Sequence, residues 1–199
     1  MVETTQALMD ENGKCPLKKM AEAGAGRVRG VHFGTYDFTA ANKLLPMFQQ
    51  MNHPVCDHAH FVMKTALHDT GVWLSDGATN LLPLETAGKN SAKVVEESWL
   101  LSYQHICHSL KKGLYQGWDL HPGQLPVRFI AFYSVFRNGF ETAALRLQNY
   151  LSGKAGTMAD DAATATVLAN FILKGFYAGA FLKSELKSHG LDVEKLEKL

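Results

Sequence analysis

The sequence predicts an α/β chain built around a parallel sheet. Three observations lead there. Short runs rich in β-branched and aromatic residues alternate with longer stretches of helical periodicity. Glycine and proline mark most of the switches between them. Acidic residues and histidines stand where the apolar runs end, and in parallel sheets the chemistry gathers at the C-terminal strand ends.

Taken in order, Met1–Glu3 reads as the end of a strand. Lys14–Ala23 reads as a helix with Pro16 in its first turn, where a missing N–H costs little, and Gly24 and Gly26 end it. Arg27–Gly34 (RVRGVHFG) is a short strand. Thr35, Tyr36 and Asp37 form a loop, and a short helical stretch runs toward Gln50. His53-Pro54 opens a helix to about His68. Gly71–Ser75 is the next strand, closed by the turn Asp76-Gly77, and residues 77–90 form a loop. Asn90 or Ser91 caps a long helix, 92–112, in which Val94, Trp99, Ile106 and Leu110 fall near helical spacing. Leu114–Leu120 is a third strand, ended by His121-Pro122. Helices are expected at about 124–137, 139–152 and 160–188, with a Ser152–Ala159 linker, and Asp192–Leu199 as a frayed helical tail. Such strand–helix alternation implies βαβ units.

The composition excludes several classes of function. The chain has 199 residues, enough for a domain with a core, and a formal net charge of +1, so bulk charge offers nothing to nucleic acid or to an anionic membrane. No apolar stretch is long enough to span a bilayer, and the N-terminal residues lack a signal-peptide pattern. The cytoplasm is the expected location, although an organelle signal could stand upstream. Cys15, Cys56 and Cys107 are odd in number and form no CxxC pair, which points to reduced thiols. Gly24-Ala25-Gly26 precedes a strand, so it is no dinucleotide fingerprint. GxxxxGK[ST] and the serine nucleophile elbow are both missing.

The strand ends carry the candidate chemistry. Glu3 and Asp37 are carboxylates at the ends of neighbouring strands. Two convergent carboxylates suit Mg²⁺ or Mn²⁺, which prefer oxygen ligands and keep positions open for water or substrate. Asp37 could equally cap the following helix. Gly34-Thr35 allows close backbone approach, and its amides could hold a substrate carboxylate, or it could be an ordinary strand-to-helix turn. Asp76 and His121 are the candidates for proton transfer. Asp76 could also simply build an Asp-Gly turn, and His121 could lock the turn before Pro122. Within Cys56-Asp57-His58-Ala59-His60, the histidines point apart on a helix, and His105 with His108 lacks a third ligand.

Three segments carry a resemblance. Met1-Val2-Glu3-Thr4 is similar to the strand-end "ET" segment of citrate lyase β-subunit-like and HpcH/HpaI-type lyases. His32-Phe33-Gly34-Thr35-Tyr36-Asp37-Phe38 resembles their "FG-x-x-D" segment. Tyr115 to Gln124 (YQGWDLHPGQ) resembles the "G-x-x-x-IHP-x-Q" segment that closes the barrel. Order and spacing agree across about residues 1–150. The nearest likeness is to a branch of the phosphoenolpyruvate/pyruvate-domain superfamily with "HFGTYD", "LSDG-x-TN" and "YQGWDLHP".

The resemblance implies the C-terminal half of a (β/α)₈ TIM barrel, strands 5 to 8, over residues 1–137, with a C-terminal helical extension over 138–199. It implies metal ligation by Glu3 and Asp37, a substrate carboxylate at Gly34 and Thr35, and an architectural His121-Pro122. The family makes or breaks a carbon–carbon bond next to a 2-oxo acid through a metal-stabilised enolate, so the expected substrate is a small 2-oxo acid or an acyl-CoA. Self-association of a full-length form is expected as well. A whole barrel needs roughly 250 residues, and four βα units and the family's substrate-binding arginine are missing from this sequence. The expectation is therefore a truncated lyase, inactive by itself. The alternatives are a non-catalytic half-barrel interaction protein and a phosphoenolpyruvate-using enzyme of the same superfamily.

Overall fold

The computed structural model of the chain describes residues 1–84, 91–154 and 160–199. They fall into two units, Met1–Arg128 and Phe129–Leu199. The later part of the expected 77–90 loop, with the expected cap Asn90, and most of the 152–159 linker lie outside the described residues.

The first unit is the α/β part, and its sheet grows in chain order. Val2 bridges in parallel to Phe33: its N–H donates to His32 O at 2.8 Å, and its carbonyl accepts from Gly34 N–H at 2.8 Å. β1 (Gly30–His32) pairs in parallel with β2 (Trp73–Ser75), in the register Gly30↔Trp73, Val31↔Leu74, His32↔Ser75. Ser75 then bridges in parallel to Gln116. Four extended segments thus lie side by side, all pointing one way. Parallel neighbours need long crossovers, and helices supply them: α1 (Leu17–Ala23), then α2 (Thr35–Ala41) with α3 (Pro54–Ala66), then α4 (Ser91–Lys111).

Local chemistry sets these boundaries. β1 starts at Gly30 because the Trp73 ring lies against it, 2.4 Å from where a Cβ would stand. α3 starts at Pro54, with His53 Nδ1 accepting from Val55 N–H at 3.2 Å. Its buried face, Cys56, Ala59, His60 and Met63, follows the i, i+3, i+4, i+7 pattern. With Val2, Leu17, Phe33 and Phe38, this face forms the core of the unit.

Three expectations for this unit need correction. Pro16 caps α1 instead of occupying its first turn. Thr35, Tyr36 and Asp37 are the first turn of α2, with no loop before it. The expected strand Leu114–Leu120 shrinks to one bridge at Gln116, because the N–H groups of Leu120 and His121 donate to the Gln124 side chain instead of to a neighbouring strand.

The second unit is helical. α5 (Leu125–Leu151) begins in the first unit and continues without the break expected at residue 138. Gly139 stays helical because its bare Cα accepts the Phe171 ring, 2.8 Å from where a Cβ would stand. The expected single helix 160–188 is two. α6 (Ala162–Tyr177), capped by Asp161 Oδ1 accepting from Thr164 N–H at 2.7 Å, stops where Gly179 turns to φ 80°. α7 (Lys183–Ser188) follows. The expected frayed tail is instead a short helix, α8 (Val193–Leu196), with Leu191 and Leu196 buried among Phe140, Leu147, Ile172 and Leu186. Among the described residues no helix is long and apolar enough to cross a membrane, and the three cysteines are unpaired.

Candidate functional site

The C-terminal ends of the four parallel segments share one construction. In each case a side chain at the end of one segment rests on a glycine at the end of the next. Glu3, after Val2, covers Gly34: a Cβ on Gly34 would stand 2.3 Å from Glu3 Cγ. Thr35, after β1, covers Gly77: a Cβ there would stand 1.8 Å from Thr35 Oγ1. Asp76, after β2, covers Gly117: a Cβ there would stand 2.5 Å from Asp76 Oδ1 and 2.3 Å from Arg128 Nη1. None of the three glycines has positive φ. They are required for space, not for backbone freedom.

Two of these side chains hold polar atoms out of water without a partner. Thr35 Oγ1 and Asp76 Oδ1 are both buried with no hydrogen bond among the described residues. Such orphans are rare and costly, and they mark places where structure has been given up for something else. The Asp76 main chain is fixed, its N–H donating to Gln116 O at 3.0 Å and its carbonyl accepting from Ser75 Oγ at 2.9 Å. Its carboxyl leaves Oδ1 without a partner, with the Ser109 hydroxyl close enough to favour the ionised form. Burial pushes the Asp76 carboxyl up to about 6, against the opposing pull of the Arg128 guanidinium.

Arg128 is committed elsewhere. Its Nε and Nη2 donate to the two carboxylate oxygens of Asp119, at 2.8 and 3.1 Å, and both residues are mostly buried. Gly117, Trp118, Asp119, His121 and Arg128 line a cavity of about 380 Å³. His121 is the N-cap of a 3₁₀ turn, its Nδ1 accepting from Gly123 N–H at 3.1 Å. That is the turn-locking alternative. Gln124 completes the turn and ties it to the other side of the mouth, its Nε2 donating to Thr79 O at 2.9 Å. Thr79 Oγ1 in turn meets His105 Nδ1 at 2.9 Å.

Of the expected metal ligands, Glu3 is half-buried on Gly34, the residue that caps α2, and Asp37 is exposed in the first turn of that helix. Two carboxylates from adjoining elements fit a hard divalent cation in kind. Among the described residues no three His, Cys, Asp or Glu side chains gather as a metal site. Water or substrate oxygens would therefore fill the other positions. The histidine clusters serve other ends. Asp57 Oδ1 joins His108 Nε2 at 2.8 Å and Lys112 Nζ at 2.6 Å, and Lys112 also meets His60 Nδ1 at 2.9 Å. His60 packs edge-on against the Phe33 ring, with centroids 4.5 Å apart. Burial lowers His60 to about 3 and His105 to about 4, so both are neutral.

Sequence reasoning assigned no role to Arg128 or Gln124. The spacing His121-x-x-Gln124 is a capping-box pattern and could have revealed Gln124. The reach of Arg128 back to Asp119 and Gly117 has no local signature.

The whole chain, residues 1–199, matches the model of a family described as a domain of unknown function, DUF6986, and the chain belongs to that family. No curated protein and no solved structure matches it.

Proposed function

We propose that this site is that of a divalent-metal-dependent carbon–carbon lyase acting next to a 2-oxo acid, and that the first unit corresponds to strands 5 to 8 of a (β/α)₈ barrel. The observation that carries this reading is the placement of Glu3, Thr35 and Asp76 at the same end of four parallel segments. The sequential order of those segments supports the barrel correspondence, since barrel strands neighbour one another in chain order.

In this reading Glu3 and Asp37 would hold Mg²⁺ or Mn²⁺. When bound, the ion would polarise the 2-oxo carbonyl and offset the charge that develops on its oxygen. The protein's own groups do the rest. The Gly34 N–H is given to the Val2 carbonyl, so in this reading the Thr35 amide meets the substrate carboxylate beside Gly34, and Thr35 Oγ1, buried and unpartnered, has a hydrogen bond to give. Arg128, held rigid by Asp119, sets a fixed positive charge at the mouth without having to be reorganised during reaction. A small 2-oxo acid matches this set of donors, and an acyl-CoA is the second substrate class that fits the reaction.

The test is exchange of the pyruvate methyl protons for deuterium, followed by NMR in D₂O with Mg²⁺, a partial reaction that needs only the metal and a base and so asks less of the chain than the carbon–carbon cleavage expected to be beyond it alone. The expected result is metal-dependent exchange that falls to the metal-free level in Glu3→Gln and in Asp37→Asn, with circular dichroism unchanged. Undiminished exchange in Asp37→Asn would sink the ligand assignment. No exchange in the wild type would favour a non-catalytic half-barrel that binds a partner.

A further inference from the structure

We propose that Asp76 is the proton carrier of this site, taking a proton from the carbon next to the 2-oxo group and returning it through Oδ1 across the bare Cα of Gly117. This rests on the lyase reading and adds to it the acid–base residue which that reading leaves open.

The geometry singles out Asp76 among the partly and fully buried acids of the first unit. Asp119 has both oxygens taken by Arg128. Asp57 shares Oδ1 between His108 and Lys112. Asp76 is 1% exposed, and its Oδ1 meets no donor. A structural carboxylate this deep would be expected to accept a hydrogen bond or an ion pair. Leaving one oxygen free is the arrangement a proton acceptor needs.

Gly117 is the link between Asp76, which does not itself line the cavity, and the cavity wall. It lines the 380 Å³ cavity, and the point its Cβ would occupy is 2.5 Å from Asp76 Oδ1 and 2.3 Å from Arg128 Nη1. That point is too close to both groups for any side-chain atom. Asp76 Oδ1 is closed to solvent, so a substrate atom would meet the carboxylate and the guanidinium together only after a small outward shift of Arg128 at Gly117. The two groups have complementary tasks there. Asp76 accepts the proton from the C–H bond, whose electron pair becomes the carbon–carbon double bond as the carbonyl π pair moves onto oxygen. Arg128 stabilises negative charge in the same place. Reversal returns the proton to carbon, so no oxidant or co-reactant is consumed.

The groups acting on Asp76 come from every side. Arg128 on α5, with Ser109 and Lys112 on α4, favours the carboxylate, while burial and the Asp119 charge oppose it. The balance holds the carboxyl near 6, in the range where a carboxylic acid both accepts and returns protons close to neutrality.

The experiment is the pH profile of Mg²⁺-dependent pyruvate methyl exchange, from about pH 5 to about 8, in the wild type, Asp76→Asn and His121→Gln. The wild-type rate is expected to rise with pH through an apparent value near 6, since the base must be ionised. Asp76→Asn is expected to lose about 100-fold or more and to lose the limb. Calorimetry is expected to show that it binds Mg²⁺ and oxalate as the wild type does. His121→Gln is expected to keep the limb, which separates Asp76 from the histidine at the mouth. Exchange in Asp76→Asn within about threefold of wild type, with its limb intact, overturns this assignment alone. So does a flat wild-type profile, which needs no variant to fold. A wild type that exchanges nothing overturns the lyase reading, and this assignment with it.

Discussion

Replacing Asp76 by asparagine is expected to make the protein more stable at neutral pH, and the size of the gain follows from the site. The Asp76 carboxyl ionises at about 6 in the fold and at 3.8 when unburied. Between those values the folded state holds a proton that the unfolded state has released, so stability falls as pH rises through this window. The shift is about two units. At about 1.4 kcal/mol per unit, the ionised carboxylate costs the folded state about 3 kcal/mol once the pH is above 6. Asparagine keeps the shape without the charge. Its advantage over aspartate should be near zero below pH 4 and should grow to about 3 kcal/mol by pH 7. Urea denaturation at several pH values measures this directly. Trp73, Trp99 and Trp118 all belong to the first unit, so tryptophan fluorescence reports the part of the chain that contains Asp76. Subtracting wild type from mutant removes the contributions of other titrating groups. A pH-independent difference, or one that turns toward the wild type as pH rises, would refute the reasoning, because it would mean that the folded carboxylate is paired. A variant that gains stability and loses exchange would show the residue held in place against the interests of the fold.

Two further outcomes are expected. His60 and His105 are depressed by burial, to about 3 and 4, whereas the unfolded imidazoles protonate near 6.5, so both withdraw stability as the pH falls below 6.5. Wild-type stability measured down to pH 4 should decline on their account, and His105→Gln should flatten part of that slope; an unaltered slope would count against its burial as a neutral ring. In the second unit, Leu196→Ala should cost about 2–5 kcal/mol by emptying a buried position, seen as a lower thermal midpoint, whereas a truly frayed tail would be indifferent to the change.

What could be read from the sequence was whatever depends on near neighbours in the chain. The α/β alternation, β1, β2 and the apolar face of α3 follow from periodicity and from proline or glycine at the boundaries. Those elements appear within a few residues of where the pattern put them. Asp76 stood out because it closes an apolar run. What escaped depends on partners far along the chain. Nothing local says that Gly139 will be held in a helix by Phe171, or that Leu196 will be buried by α5 and α6. Gly34, just after β1, and Gly77, just after Asp76, looked like turn residues. Their shared reason, room for a side chain from the preceding segment, requires the register of the sheet. Leu114–Leu120 was misjudged for a related reason: its strand-like residues are outweighed by the Gln124 side chain, which takes the N–H groups that a longer strand would have needed.

The stepped arrangement of Glu3 on Gly34, Thr35 on Gly77 and Asp76 on Gly117 also bears on how this chain can change over generations. Each glycine tolerates a larger residue only if the side chain above it shortens first, and each long side chain is admissible only while its glycine persists. Substitutions at these six positions are therefore coupled in pairs, and the order of events matters. A lineage that trades Glu3 for a small residue is free to lose Gly34, and after that step glutamate cannot return without the glycine. The three pairs behave as ratchets, each able to lock a descendant out of the ancestral arrangement by one neutral change.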